Sequence, residues 1–67
     1  MSNRYRERER ISLLSDVPEE GLARGEAGTV VHVFGQGDAC LVEFVDPHDG
    51  STRALVELPA DRICASC

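Results

Sequence analysis

A chain of 67 residues with no tryptophan, one tyrosine and two phenylalanines is long enough for one small domain, whose core must be assembled from aliphatic side chains. Its formal charge of −5 argues against generic binding to phosphate backbones. No apolar run reaches the roughly 20 residues that cross a bilayer, and no signal-type apolar segment follows the N-terminus, so a soluble cytoplasmic protein without membrane association is expected.

The charge is unevenly placed. Residues 1–10 hold four arginines against two glutamates, net +2, whereas Ile11 onward holds three arginines against ten carboxylates, net −7. Arg4, Arg6, Arg8 and Arg10 fall at every second position, and an extended strand would put them all on one face. The segment is either a solvated polar lead-in to the domain or, together with Tyr5, a grip on an acidic surface or RNA. Glu7 and Glu9 weaken the second alternative.

Ile11 to Leu14 is predicted as the first strand, with Ile11 and Leu13 on one face. The turn-forming run Ser15 to Gly21 follows, in which Pro18 fixes φ and Gly21 permits positive φ. Leu22 reads as an apolar plug pinning this long loop to the core, while Asp16, Glu19, Glu20 and Glu26 make the loop anionic. Gly25 and Gly28 mark a bend or bulge before the next strand, and their spacing matches no phosphate-cradling motif.

Thr29 to Phe34 is rich in β-branched residues and predicts a second strand, with Val31 and Val33 inward and Val30, His32 and Phe34 outward. His32 has no local His, Cys or carboxylate to make it a base or a metal ligand. Gly35 to Asp38 closes a hairpin onto Cys40–Val45, where Cys40, Val42 and Phe44 face inward. Asp46 to Ser51 combines Asp-Pro and Asp-Gly, ordinary turn chemistry rather than a metal site. Thr52 to Leu58 predicts a fourth strand, Ala54, Val56 and Leu58 inward and Arg53, Leu55 and Glu57 outward. One helical turn at Pro59 to Asp61 precedes a short fifth strand through Ile63.

Cys64 and Cys67 have CxxC spacing, and Cys40 makes the thiol count odd, which argues against a disulfide framework. A structural zinc needs four ligands, and only Cys40 and two histidines remain elsewhere in the chain. No metal or cofactor is assigned, and a site shared across a dimer would be the least strained form for this pair.

The order of these elements, with a long first loop, tight turns and one helical turn before the last strand, is that of a five-stranded SH3-like barrel over residues 11–67. The run Asp16-Val17-Pro18-Glu19-Glu20-Gly21-Leu22, the step Gly25-x-x-Gly28-Thr29-Val30-Val31, Val42-Glu43-Phe44-Val45-Asp46 and Leu58-Pro59-Ala60-Asp61 together resemble a family of small bacterial proteins known as a domain of unknown function. That resemblance also implies an SH3-like barrel. Gly25 to Val33 further resembles the KOW motif, implying RNA or ribosome contact. Arg24-Gly25-x-x-Gly28-x-Val30 resembles the small barrel of nitrile hydratase β subunits and their activators, implying an accessory role to a metalloenzyme.

No pairing of nucleophile and base, no pair of carboxylates in an apolar setting and no cofactor fingerprint is present, so a non-enzymatic protein-interaction module is expected, the small acidic partner of a larger protein. An antitoxin, an immunity protein and an accessory subunit all fit that description. Asp16, Glu19, Glu20 and Arg24 in the loop and the outward Phe34, Val45 and Leu55, with Val30 beside them, are the candidate contacts. A homodimer through outward apolar residues or exposed strand edges is a further expectation. The alternative class is RNA or ribosome association through Arg4 to Arg10 and Arg24.

Overall fold

The computed structural model describes residues 5–65. It is all-β, with strands β1 (Arg10–Leu13), β2 (Ala27–Phe34), β3 (Ala39–Val45), β4 (Thr52–Pro59) and β5 (Ile63–Ala65) in one open antiparallel sheet of order β4-β3-β2-β1-β5. A 3-10 turn at Ala60–Arg62 precedes β5 as the sequence predicts, and a second, unpredicted one spans Pro18–Glu20.

Turn chemistry places the central strands side by side. At the β2–β3 turn the N–H groups of Gly37 and Asp38 both donate to the Phe34 carbonyl at 3.2 Å. In the β3–β4 turn the Asp46 carboxylate accepts from the His48 N–H at 2.8 Å, and the Asp49 carboxylate accepts from the Ser51 N–H at 2.9 Å and its hydroxyl at 2.7 Å. Donation from the Ser51 backbone, then from its hydroxyl, holds the Asp49 carboxyl below the ordinary carboxylate range. These side chains close a turn, as Asp and Asn commonly do.

The core lies on one face of the sheet and contains Ile11, Leu13, Val30, Cys40, Val42, Phe44, Leu58 and Ile63, with Val33, Ala54 and Val56 packed against it. Strands β1, β3, β4 and β5 follow the predicted alternation. In β2 it fails, because a bulge shifts the register between Val30 and His32. Val30 pairs with Val42 and is fully buried, whereas Val31, predicted inward, is 38% exposed. The extra residue restores phase beyond it, so that Val33 pairs with Cys40 and faces the core while His32 and Phe34 face out as predicted.

Gly28 is required at the centre of this arrangement. A Cβ there would stand 2.6 Å from Val42 Cγ1 and 2.9 Å from Phe44 Cε2, so the absent side chain is what lets the aromatic ring lie against the β2 backbone. Full burial of a phenylalanine contributes about 1.5–3 kcal/mol. Cys40 is wholly buried, and desolvation, assisted by the negative charge of Glu9, pushes its thiol pKa up; it behaves as a small apolar side chain.

Two segments read from sequence as solvated are part of the packing. Val17, within the expected turn, is buried and forms a two-residue bridge with Leu22, the predicted plug: Val17 N–H donates to Leu22 O at 2.9 Å and Leu22 N–H to Val17 O at 3.1 Å. The reversal between them passes through Gly21, whose φ of 70° is in the left-handed region. Tyr5 is buried too, and its hydroxyl donates to the Ile63 carbonyl at 2.9 Å. Between Tyr5 and β1 the chain turns, with Glu9 N–H donating to Arg6 O at 3.1 Å and Arg8 at a φ of 73°. The turn keeps the described arginines from lining up on one extended face, and Arg4 lies outside the described residues.

Replacing Gly28 by alanine should destabilise the protein by about 1–3 kcal/mol through overpacking against Val42 and Phe44. Urea denaturation followed by far-UV circular dichroism checks this; an unchanged midpoint would show that the ring has room to move.

Candidate functional site

The long β1–β2 loop keeps its shape through polar contacts made largely by arginines. Asp16 Oδ1 accepts from the Arg24 N–H at 2.8 Å, and Arg62 donates to Ser15 Oγ at 3.2–3.3 Å and to the Asp16 carbonyl at 3.2 Å. Arg53, at a register shift near the start of β4, reaches Glu26 Oε1 and the Gly21 carbonyl, both at 2.9 Å. The other oxygen of Glu26 caps the Ala23 N–H at 2.9 Å. Neither arginine was singled out from sequence as a brace, although a cation facing an anionic loop was the available signal.

The four loop carboxylates therefore divide into two kinds. Asp16 and Glu26 are engaged within the fold, while the side-chain carboxylates of Glu19 and Glu20, in the exposed 3-10 turn, make no hydrogen bond or ion pair in the described structure. Arg24 is exposed, and its contact to Asp16 is through its main chain. Because Arg53 bonds the Gly21 carbonyl, Glu20 stands one residue from a contact with β4.

On the outer face of the sheet, Leu55 is 57% and Val45 41% exposed. Leu55 pairs with Glu43, which places Leu41 and Val45 as its diagonal neighbours on β3. Val30, expected in this patch, is in the core, and the bulge residue Val31 is the β2 valine that reaches the surface. Phe34 is separate: it pairs with Ala39, four residues along β3 from Glu43, or about 13 Å at 3.3 Å per residue. Its ring meets His32 edge-on at 4.7 Å, and His32 Nδ1 lies 3.7 Å from Glu7 Oε2. Sequence reasoning thus located Leu55 and Val45, missed Leu41 and Val31, and joined to them a phenylalanine that belongs to the hairpin end.

Beside this patch, a cleft of about 320 Å³ opens where the starts of β1 and β2 meet the end of β3. Ala27, Gly28 and Thr29 line it together with Arg10, Glu43, Val45 and Pro47. The Glu43 carboxylate accepts from the Thr52 hydroxyl. Among the described residues, no three His, Cys, Asp or Glu are grouped to hold a metal ion. Cys64 is a free, half-buried thiol, and its CxxC partner Cys67 lies outside the described residues. No helix among the described residues is long and apolar enough to cross a membrane.

Residues 7–65 match the model of a family described as a domain of unknown function, DUF4926, and the chain belongs to that family. No curated protein and no solved structure matches the chain.

Two measurements check this geometry. Removing the Arg53 guanidinium by Arg53→Met should speed hydrogen exchange of the Leu22 amide, while the coupling to Glu26 in a double-mutant cycle stays below about 1 kcal/mol, since both side chains are part-exposed. Unchanged exchange would remove the arginine as a brace. Alkylation with iodoacetamide at neutral pH should leave Cys40 unmodified until denaturant is added, because its thiol is fully buried with a raised pKa; modification in the native protein would contradict that burial.

Proposed function

We propose that the chain is a non-catalytic, SH3-like interaction domain that binds a basic protein surface through the apolar patch around Leu55 and the free carboxylates beside it. The strand order β4-β3-β2-β1-β5, the long first loop and the 3-10 turn before β5 support the barrel assignment. The observation that carries the function is an exposed leucine in mid-strand, 57% accessible, with Val45 and Leu41 diagonal to it and Glu43 opposite. Such a surface combines an apolar centre for affinity with charges that steer an oppositely charged partner.

The arginine-rich segment gives less support to an RNA partner. Tyr5, its one base-stacking side chain, is buried, and the chain turns at Arg6 to Glu9 instead of presenting a row of guanidinium groups. Free thiols at Cys40 and Cys64 suit a reducing, cytoplasmic setting.

The test is a paired capture from native extract on immobilised wild-type protein and on Leu55→Asp, with circular dichroism confirming that the exposed substitution leaves the fold intact. The expected result is a basic protein retained by the wild type, released by salt, and lost with Leu55→Asp. Retention of the same proteins by both forms, or of nuclease-sensitive RNA in their place, would overturn the proposal.

A further inference from the structure

The two ends of the sheet are unequal. β5 is three residues long, whereas β4 runs for eight, pairs only with β3, and makes no main-chain hydrogen bond from Ala54 to Leu58 beyond that pairing in the described structure. Natural edge strands are usually protected by shortness, bulges, proline or charge. β4 has such guards at its ends: the register shift and Arg53 at the start, and Pro59 at the finish. Between them lies a window of five residues whose one ionisable group is Glu57.

This window presents apolar side chains on both faces, with Glu57 beside Leu55 on the outer one. Leu55 is exposed on the outer side, and Ala54 and Val56 are only half-buried on the inner side. A strand laid along the edge would bond the free main-chain groups and cover apolar surface above and below at once, whereas a surface docking only on the outer face would leave Ala54 and Val56 as they are. The local charge specifies what kind of strand. Glu57 is in the window, Glu43 is opposite Leu55, and Glu19 and Glu20 immediately precede Gly21, whose carbonyl Arg53 holds. Arg53, the nearby cation, is already paired with Glu26 at 2.9 Å.

We propose that the free edge of β4, Ala54 to Leu58, takes up an extended, basic segment of a partner chain as a sixth strand. On its outer face the segment has an apolar residue packing beside Leu55 and, two positions along, a lysine or arginine facing Glu57; on its inner face it has apolar residues covering Ala54 and Val56. This deepens the function proposed above and rests on it. A second copy of the chain is a poorer occupant, since edge-to-edge pairing would bring together two coats that each carry a net charge of −5.

The test pans a phage-displayed library of random dodecapeptides on the immobilised protein, then titrates one enriched synthetic peptide while amide hydrogen exchange is followed by NMR. The expected outcome is enrichment of apolar sequences in which a lysine or arginine stands two positions from an apolar residue on the same face, and added protection of amides within 54–58. Glu57→Lys should weaken the peptide roughly fivefold, and exchanging the facing lysine of the peptide for glutamate should restore binding to that variant. Failure to enrich such sequences, protection confined to other strands, or sedimentation of the free protein as a dimer with the 54–58 amides already protected would each overturn the edge assignment. If Leu55→Asp still abolishes capture of a folded partner in that case, the outer-face reading stands and only the added strand falls.

Discussion

The contact between the Phe44 ring and the bare backbone of Gly28 governs how closely β2 and β3 pack in this small open sheet. With no tryptophan in the chain and Phe34 on the outer face, Phe44 is the largest side chain fully buried, and it must be accommodated where β2 is clasped by β1 on one side and β3 on the other. Ile11 pairs with Gly28, so the aliphatic core of β1 and the ring of β3 meet across a residue that occupies no space of its own. Two residues on, Val30 packs opposite Val42, and the strand then takes in an extra residue at Val31. Bulges of this kind bend a strand and increase its twist, so the tight approach at Gly28 and the bend after it together wrap β2 around the ring.

Charge in this molecule is divided between scaffold and surface. The chain's cationic side chains are all arginine, and the two nearest the long loop donate to its carbonyls as well as to its side chains. Arginine suits this task because its planar fork bonds two acceptors at once, as Arg53 does with Glu26 and Gly21. Of the loop's carboxylates, Glu26 is held by Arg53, whereas Glu19 and Glu20 have no cationic partner in the described structure.

Much of the architecture was legible in the residues. Valine and phenylalanine alternation, Gly-Gln-Gly-Asp and Asp-Gly turns, and the Leu-Pro-Ala-Asp step set the order of strands, and Leu22 was identifiable as a plug because it stood alone among polar neighbours. What alternation cannot register is a residue added out of phase: Thr29 to Phe34 reads equally well with Val31 inside, and only pairing with β3 decides for Val30. Tyr5 and Val17 were hidden for a different reason. Each sits in a polar stretch and is drawn inward by partners far along the chain, Ile63 for the tyrosine, or by a reversal through a left-handed glycine for the valine. The candidate site was legible at Leu55 and Val45, whose exposure follows from strand phase alone, but not in its extent, because Phe34 and Leu55 share a face without sharing a neighbourhood.

The pairing of β1 with β5 joins Ile11 to Ala65, and the Tyr5 hydroxyl meets the Ile63 carbonyl across 58 positions of sequence. Contacts so distant along the chain carry a high loop-closure entropy and slow the search for the native topology, whereas the β2–β3–β4 meander needs only neighbouring segments. During synthesis the meander can assemble as it emerges, but the first strand must wait for the last. Until residue 65 has left the ribosome, the β5 edge of β1 and the Ile63 carbonyl that Tyr5 bonds are missing, so Leu13 and Tyr5 stay uncovered while the meander is already paired.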